Sequence, residues 1–262
     1  MEVIVCADAT EVARTATGRI VGALAKRPDP VLGLATGSSP LRIYDQLAEL
    51  NRTGQIDLST TRAFALDEYV GLSPSHPQSY AETIRTTVTE PCGLDPALVR
   101  VPDGMADDIE ASCRAYEDAI VAAGGIDVQI LGIGSNGHIG FNEPTSSLSS
   151  RTRIKTLTAR TRADNKRFFA EGEIVPTHCV TQGLGTIMDA RRLVLVATGT
   201  KKAAAIAAAV EGPVSSICPA SVMQFHPNAV VIVDEDAASL LKLTDYYRDT
   251  FEHLPEWQLP AI

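Results

Sequence analysis

Apolar positions along the chain fall into two alternating rhythms. Short runs dense in β-branched residues and leucine occupy residues 3–6, 31–35, 62–66, 126–131, 193–197 and 229–233. Between them lie stretches whose apolar residues recur every three or four positions. Residues 9–26 carry Val12, Ala16, Ile20, Ala23 and Leu24 on one face, and residues 41–50 carry Leu41, Tyr44, Leu47 and Ala48. Residues 107–123 repeat the pattern with Ile109, Cys113, Tyr116 and Ile120, and 201–210 and 237–248 read as two further helices. Apolar runs without polar alternation are the mark of strands buried on both faces. Strands separated by helices predict parallel pairing through right-handed crossovers. The expectation is an α/β fold: one domain over 1–262, doubly wound, Rossmann-like, its mostly parallel sheet covered by helices on both faces. Residues 132–153 form the one long irregular stretch, too apolar and glycine-rich for a linker.

Composition narrows the function classes. The chain has 262 residues, 45% hydrophobic and 21% charged, enough for a sizeable core. A net charge of −9 argues against a nucleic-acid partner, which demands a basic face. No apolar run approaches the ~20 residues that span a bilayer and no signal peptide leads the sequence, so the expected compartment is the cytoplasm, with no membrane partner. Five scattered cysteines form no CxxC pair. His76, His178, His226 and His253 form no metal-ligand spacing, so neither metal nor cofactor is expected.

In an open α/β sheet, ligands bind beyond the carboxyl ends of the strands. Four segments there carry candidate chemistry. In the first, residues 34–40, hydroxylated Thr36, Ser38 and Ser39 surround Gly37, and Pro40 is expected at the first helical position. Its amides would converge on an anion such as phosphate, although an ordinary helix cap has the same composition. In the second, Asp67 and Glu68 follow a strand directly, either as a general base or as a solvated turn. The third, residues 130–144, contains Gly132, Gly134 and Gly137 in a GxGxxG spacing. The region about 20 residues on contains no acid, which rejects a dinucleotide site. What remains is a glycine-rich loop presenting Asn136, His138 and Glu143. A histidine among glycines, with a carboxylate five residues on, suits acid/base work. In the fourth, Lys201 and Lys202 open a helix against its dipole, a cost explained if one of them faces an anion. Arg167 is a further cation with no evident structural task.

Together these segments resemble the glucosamine-6-phosphate deaminase family, over nearly the whole chain. The resemblance is carried by residues 34–40, DEYVGL at 67–72, GHIGFNEP at 137–144, SSLSSRTRIKTL at 146–157 and AVEG at 209–212. It implies conversion of glucosamine 6-phosphate and water to fructose 6-phosphate and ammonia, in amino-sugar catabolism, without cofactor. It further implies that Thr36, Gly37, Ser38, Ser39, Glu68, Gly137, Arg167 and Lys202 bind substrate, with the phosphate held by the 36–39 loop, Lys202 and Arg167. Asp67 would transfer the proton from C2 to C1, Glu68 would support the site, and His138, Glu143 and Asn136 would form the ring-opening group.

Many family members have an acid where this chain has Asn136, which can fix an imidazole tautomer but cannot stabilise an imidazolium. Some relatives are activated by N-acetylglucosamine 6-phosphate, and the matching positions Ser146, Ser147, Arg153 and Lys155 are present. The tail from Thr244 to Ile262 does not match those relatives, Tyr246 and Tyr247 lying out of register with their aromatic. Such relatives are hexamers and others are monomers, so a homo-oligomer is compatible with the sequence. Two rival readings are a 6-phosphogluconolactonase, which needs no C2 base, and a sugar-phosphate sensor that has lost catalysis.

Overall fold

The run VLGL forms β2 (Val31–Leu34), every residue of it buried, and it takes a central place in a parallel sheet. The computed structural model describes residues 1–255. Around β2 the sheet assembles β1 (Glu2–Cys6), β3 (Arg62–Ala65), β5 (Val99–Arg100), β6 (Val128–Leu131), β9 (Leu193–Ala197) and β10 (Ala229–Asp234). Their order is β1-β10-β9-β6-β2-β3-β5, with every pairing parallel. Helices α1 (Ala9–Leu24), α2 (Ser38–Arg52), α4 (Ile109–Ala122) and α7 (Ala203–Val210) follow the strands, as the hydrophobic periodicity predicts. The chain runs from β2 outward through β3 to β5, then returns to lay β6 on β2's other side. The switch point is therefore between β2 and β6, where the loops of residues 35–37 and 132–144 leave neighbouring strand ends. Register there places Gly33 beside Gln129. A Cβ on Gly33 would lie 2.1 Å from the buried Gln129 side chain, so glycine is required for the two strands to pack.

A second, three-stranded antiparallel sheet was not foreseen. It consists of β4 (Asp67–Tyr69), β7 (Arg153–Thr156) and β8 (His178–Thr181), in the order β4-β8-β7. Only Leu66 separates β3 from β4, so the chain steps from one sheet into the other within one residue. The small sheet has its own core of Tyr69, Phe141, Leu157, Phe169, Val175 and Cys179. Tyr80 opens α3 (Tyr80–Ile84) and stacks on Phe141 with ring planes 15° apart. Two more short helices follow β7 and β8, α5 (Ala159–Asn165) and α6 (Leu184–Met188).

Three expectations need correction. Helix α2 begins at Ser38 rather than at Pro40, which sits two residues inside the first turn, where its missing N–H is still harmless. The helix expected over 237–248 is two, α8 (Glu235–Ala238) and α9 (Thr244–Glu252). The Glu211 carboxylate accepts hydrogen bonds from the backbone N–H groups of Lys242 and Leu243, which fixes the link between them in a non-helical form. The helix expected from Lys201 starts as a tight turn over Thr200–Lys202 and becomes α-helical at Ala203. Of the tail noted above, residues 256–262 lie outside the described residues.

Candidate active site

Gly37 (φ 113°) precedes α2, a helix with no side-chain cap and no acid in its first turn. Its first amides and the hydroxyls of Ser38 and Ser39 are left open to an anion, at the helix's positive end. The hydroxyl of Tyr44, buried, bonds both the N–H and the C=O of Ala35 and so pins the strand end. Across the switch point, the Lys202 ammonium donates to the Ile133 carbonyl at 2.6 Å. Burial, and secondly the nearby Arg167 charge, hold the Lys202 ammonium below its ordinary pKa. Lys201 is exposed, so Lys202 is the lysine turned toward the strand ends. Arg167 is exposed and stacked over Phe168 at 4.7 Å.

Asp67 and Glu68 are successive strand residues, so their side chains leave β4 on opposite faces. Asp67 is buried, and burial first, the Glu68 carboxylate second, push its carboxyl up to about 8. Gly140 (φ 54°) approaches so closely that a Cβ there would lie 3.5 Å from Asp67 Oδ2 and 2.9 Å from the Thr181 hydroxyl. The Glu68 side chain is engaged by the backbone. Its carboxylate accepts from the backbone N–H groups of Tyr69, Tyr80 and Ala81 at 2.7–2.9 Å and anchors the start of α3. It also lines a separate cavity of about 400 Å³ with Leu72, Ile84, Val101 and Met105. Burial raises its pKa despite those three bonds. Sequence adjacency brought the two acids together, and strand alternation sends them to different tasks.

The loop after β6 brings its three expected residues together. A Cβ on Gly134 would lie 2.2 Å from the His138 ring, so the glycine makes room for the imidazole. Gly137 (φ 85°) turns the chain between Asn136 and His138. Asn136 Nδ2 donates to Glu143 Oε2 at 2.7 Å, and Asn136 Oδ1 accepts from the His138 backbone N–H at 3.3 Å. His138 Nδ1 lies 3.7 Å from Glu143 Oε2, an ion-pair separation too long for a hydrogen bond. Asn136 therefore holds the backbone and the carboxylate rather than the ring. Burial would raise the Glu143 carboxyl, yet His138, Thr161 and Asn136 overcome it and hold the pKa down to about 2.

Sequence reasoning missed the groups that support these side chains. Thr158 and Thr161 reach Glu143 Oε1 from the start of α5, and Asn165, the last residue of α5, donates to the Tyr69 hydroxyl at 2.8 Å. The signal that was present, Thr158 before a helical stretch, marks an N-cap and nothing more. Of the expected second group, Ser146 is buried with its hydroxyl unpartnered, Ser147 is exposed, and Arg153 and Lys155 share one face of β7. Among the described residues, no three His, Cys, Asp or Glu side chains converge as a metal site.

Comparison with known proteins identifies the family. Residues 7–232 match the family model described as glucosamine-6-phosphate isomerases/6-phosphogluconolactonase. The chain is 64% identical over 250 residues to a glucosamine-6-phosphate deaminase of Cutibacterium acnes, covering 95% of this chain and 96% of that protein. It is 54% identical over 260 residues to the deaminase of Streptomyces coelicolor, covering 98% and 99%. A solved monomeric glucosamine-6-phosphate deaminase superposes with a TM-score of 0.88 at 40% identity, covering 92% of this chain and all of the other. A 6-phosphogluconolactonase from Trypanosoma cruzi shares the fold, with a TM-score of 0.72 at 19% identity over 92% and 97% of the two chains. The chain belongs to the glucosamine-6-phosphate isomerase/6-phosphogluconolactonase family.

Proposed function

We propose that this protein is an enzyme that converts glucosamine 6-phosphate and water to fructose 6-phosphate and ammonia. The observation that carries the reading is Asp67, a buried carboxyl of raised proton affinity at the entry to the small sheet, against the loop that presents His138. Lactone hydrolysis removes no proton from carbon and has no use for such a group. The relatives at 54–64% identity, named as deaminases, support the same choice.

The pyranose opens when His138 moves a proton from the anomeric hydroxyl to the ring oxygen. Glu143 faces His138 Nδ1 across 3.7 Å and favours a positive charge on the ring as the proton passes. In the open aldehyde, the C2 proton is acidified by the adjacent carbonyl; Asp67 removes it while O1 takes a proton from the C2 ammonium, which leaves an enolamine. Asp67 then returns its proton to C1, the product is a protonated imine at C2, water adds to that carbon, and ammonia leaves. The substrate's C2 ammonium, placed beside Asp67, favours the carboxylate form that burial and Glu68 disfavour. Thr36, Gly37, Ser38 and Ser39, with Lys202 and Arg167, hold the phosphate in ground and transition states alike, so their contribution is positioning.

Ser146, Ser147, Arg153 and Lys155 form a second anion site in this reading, with N-acetylglucosamine 6-phosphate as the effector. Support comes from the alternation of Arg153 and Lys155 around exposed Ile154 and from the unpartnered Ser146 hydroxyl. The reading includes one catalytic domain spanning the chain, working in the cytoplasm and able to form a homo-oligomer. Among the described residues, no helix is long and apolar enough to cross a membrane. The test is ammonia and fructose 6-phosphate release from glucosamine 6-phosphate by the purified protein, with and without the effector, beside hydrolysis of 6-phosphogluconolactone. Lactone hydrolysis without ammonia release overturns the proposal.

A further inference from the structure

We propose that Thr161 is the positioning residue that orients the Glu143 carboxylate toward Asn136 and His138, a role that rests on the function proposed above. Glu143 is buried, and its two oxygens face two different segments. Oε2 faces the loop, taking the Asn136 amide at 2.7 Å and lying 3.7 Å from His138 Nδ1. Oε1 faces α5, where the hydroxyls of Thr161 and Thr158 both approach it.

Each hydroxyl has one proton to give, and that count separates the two threonines. Thr158 Oγ1 caps α5 by accepting from the Thr161 N–H at 3.1 Å. Its own proton has two acceptors in reach, Thr161 Oγ1 at 3.0 Å and Glu143 Oε1 at 3.3 Å, and the nearer is Thr161. Thr161 then directs its proton to Glu143 Oε1, the shortest contact of the group. The result is a closed wire: Thr161 N–H to Thr158 hydroxyl, Thr158 hydroxyl to Thr161 hydroxyl, Thr161 hydroxyl to carboxylate. A hydrogen bond to a charged, buried acceptor is among the strongest that a protein makes. Removing it frees the carboxylate to rotate Oε2 away from Asn136 and His138.

The experiment compares Thr161→Val, which keeps the shape and removes the hydroxyl, with Thr161→Ser, which keeps the hydroxyl. Ammonia release from glucosamine 6-phosphate should show kcat reduced about tenfold or more in Thr161→Val, the loss of one hydrogen bond to a charged group. KM should stay within about threefold and Thr161→Ser within about twofold of the parent, since the phosphate contacts are untouched. In parallel, the Glu143 carboxyl is titrated by carbon-13 NMR of glutamate-labelled protein, where the Thr161→Val midpoint should move up and the Thr161→Ser midpoint stay with the parent. A parental kcat or a parental Glu143 titration in Thr161→Val overturns the inference. If the parent itself releases no ammonia, the functional reading falls while the titration still decides the role of Thr161. Should Thr161→Val fail to fold, Thr161→Ala, which cannot overfill the site, repeats both measurements.

Discussion

Replacing Asp67 by Asn separates what this carboxyl does for the reaction from what it costs the fold. The side chain keeps its size, but the buried group no longer ionises. In the parent, the native Asp67 carboxyl titrates at about 8, and in the unfolded chain near the ordinary 3.8. Between those values the native state holds a proton that the unfolded state has released. The free energy of unfolding therefore falls as pH rises, by about 1.4 kcal/mol per pH unit from this one group. Its stabilising contribution is whole below pH 3.8 and gone above about pH 8. The Asn variant lacks this slope. From pH 5 to pH 7 the stability of Asp67→Asn relative to the parent should rise by about 3 kcal/mol. At about 2–4 °C per kcal/mol for a chain of this size, the difference in Tm should grow by about 6–12 °C. Turnover on glucosamine 6-phosphate should fall at least ~10²-fold, because no proton-transfer group remains at C2. Melting curves of both proteins at pH 5, 6 and 7, with ammonia release at each pH, make the measurement. A difference in Tm that does not change with pH would refute the account of Asp67 as a buried acid of raised pKa, and a variant with parental turnover would remove it from the mechanism.

Lys202→Ala should raise KM for glucosamine 6-phosphate far more than it lowers kcat, because the charge it meets is present throughout the reaction, and Lys201→Ala should do neither. Steady-state kinetics of both variants check this, and an effect confined to Lys201→Ala would reverse the assignment of the phosphate-facing lysine. Asn136→Asp should remain active, since a carboxylate still accepts from the His138 backbone N–H, though it meets Glu143 as a like charge. Asn136→Leu should lose about tenfold or more in kcat, having left Glu143 Oε2 without its 2.7 Å donor; parental kcat in Asn136→Leu would make the position a bystander.

The large sheet was legible because its strands are buried on both faces and read as unbroken apolar runs. LVLVA at 193–197 and AVVIVD at 229–234 admit hardly any other reading, and each is buried nearly throughout. The small sheet was not legible. Its first strand is DEY, two acids that disfavour strands, and its partner HCVT lies more than 100 residues further along. RIKT alternates cleanly between half-buried and exposed, but four residues are too few to stand out. The candidate site followed the same division. Asn136, His138 and Glu143 lie on one loop, where local sequence already joins them. Thr161 reaches Glu143 only because α5 folds back over that loop, and Glu68 faces α3, opposite to Asp67, only because β4 is a strand. Both facts are set by long-range pairing that no window of sequence contains.

The single residue between β3 and β4 divides the proposed active site between two sheets, each with its own core. The 36–39 loop, Lys202 and the root of the His138 loop follow strands of the parallel sheet, which has the more extensive core. Asp67 and, through Tyr69 and Asn165, the segment bearing Arg167 belong to the antiparallel sheet and its six buried side chains. A smaller core opens at a smaller free energy. With the proposed roles, excursions that loosen the small sheet would carry Asp67 away while the 36–39 loop persists, so the protein would lose its chemistry transiently without losing its grip on a sugar phosphate. Bound substrate, touching both units, would then act as the clasp between them, and its presence would slow backbone amide exchange in β4, β7 and β8 more than in the strands of the large sheet.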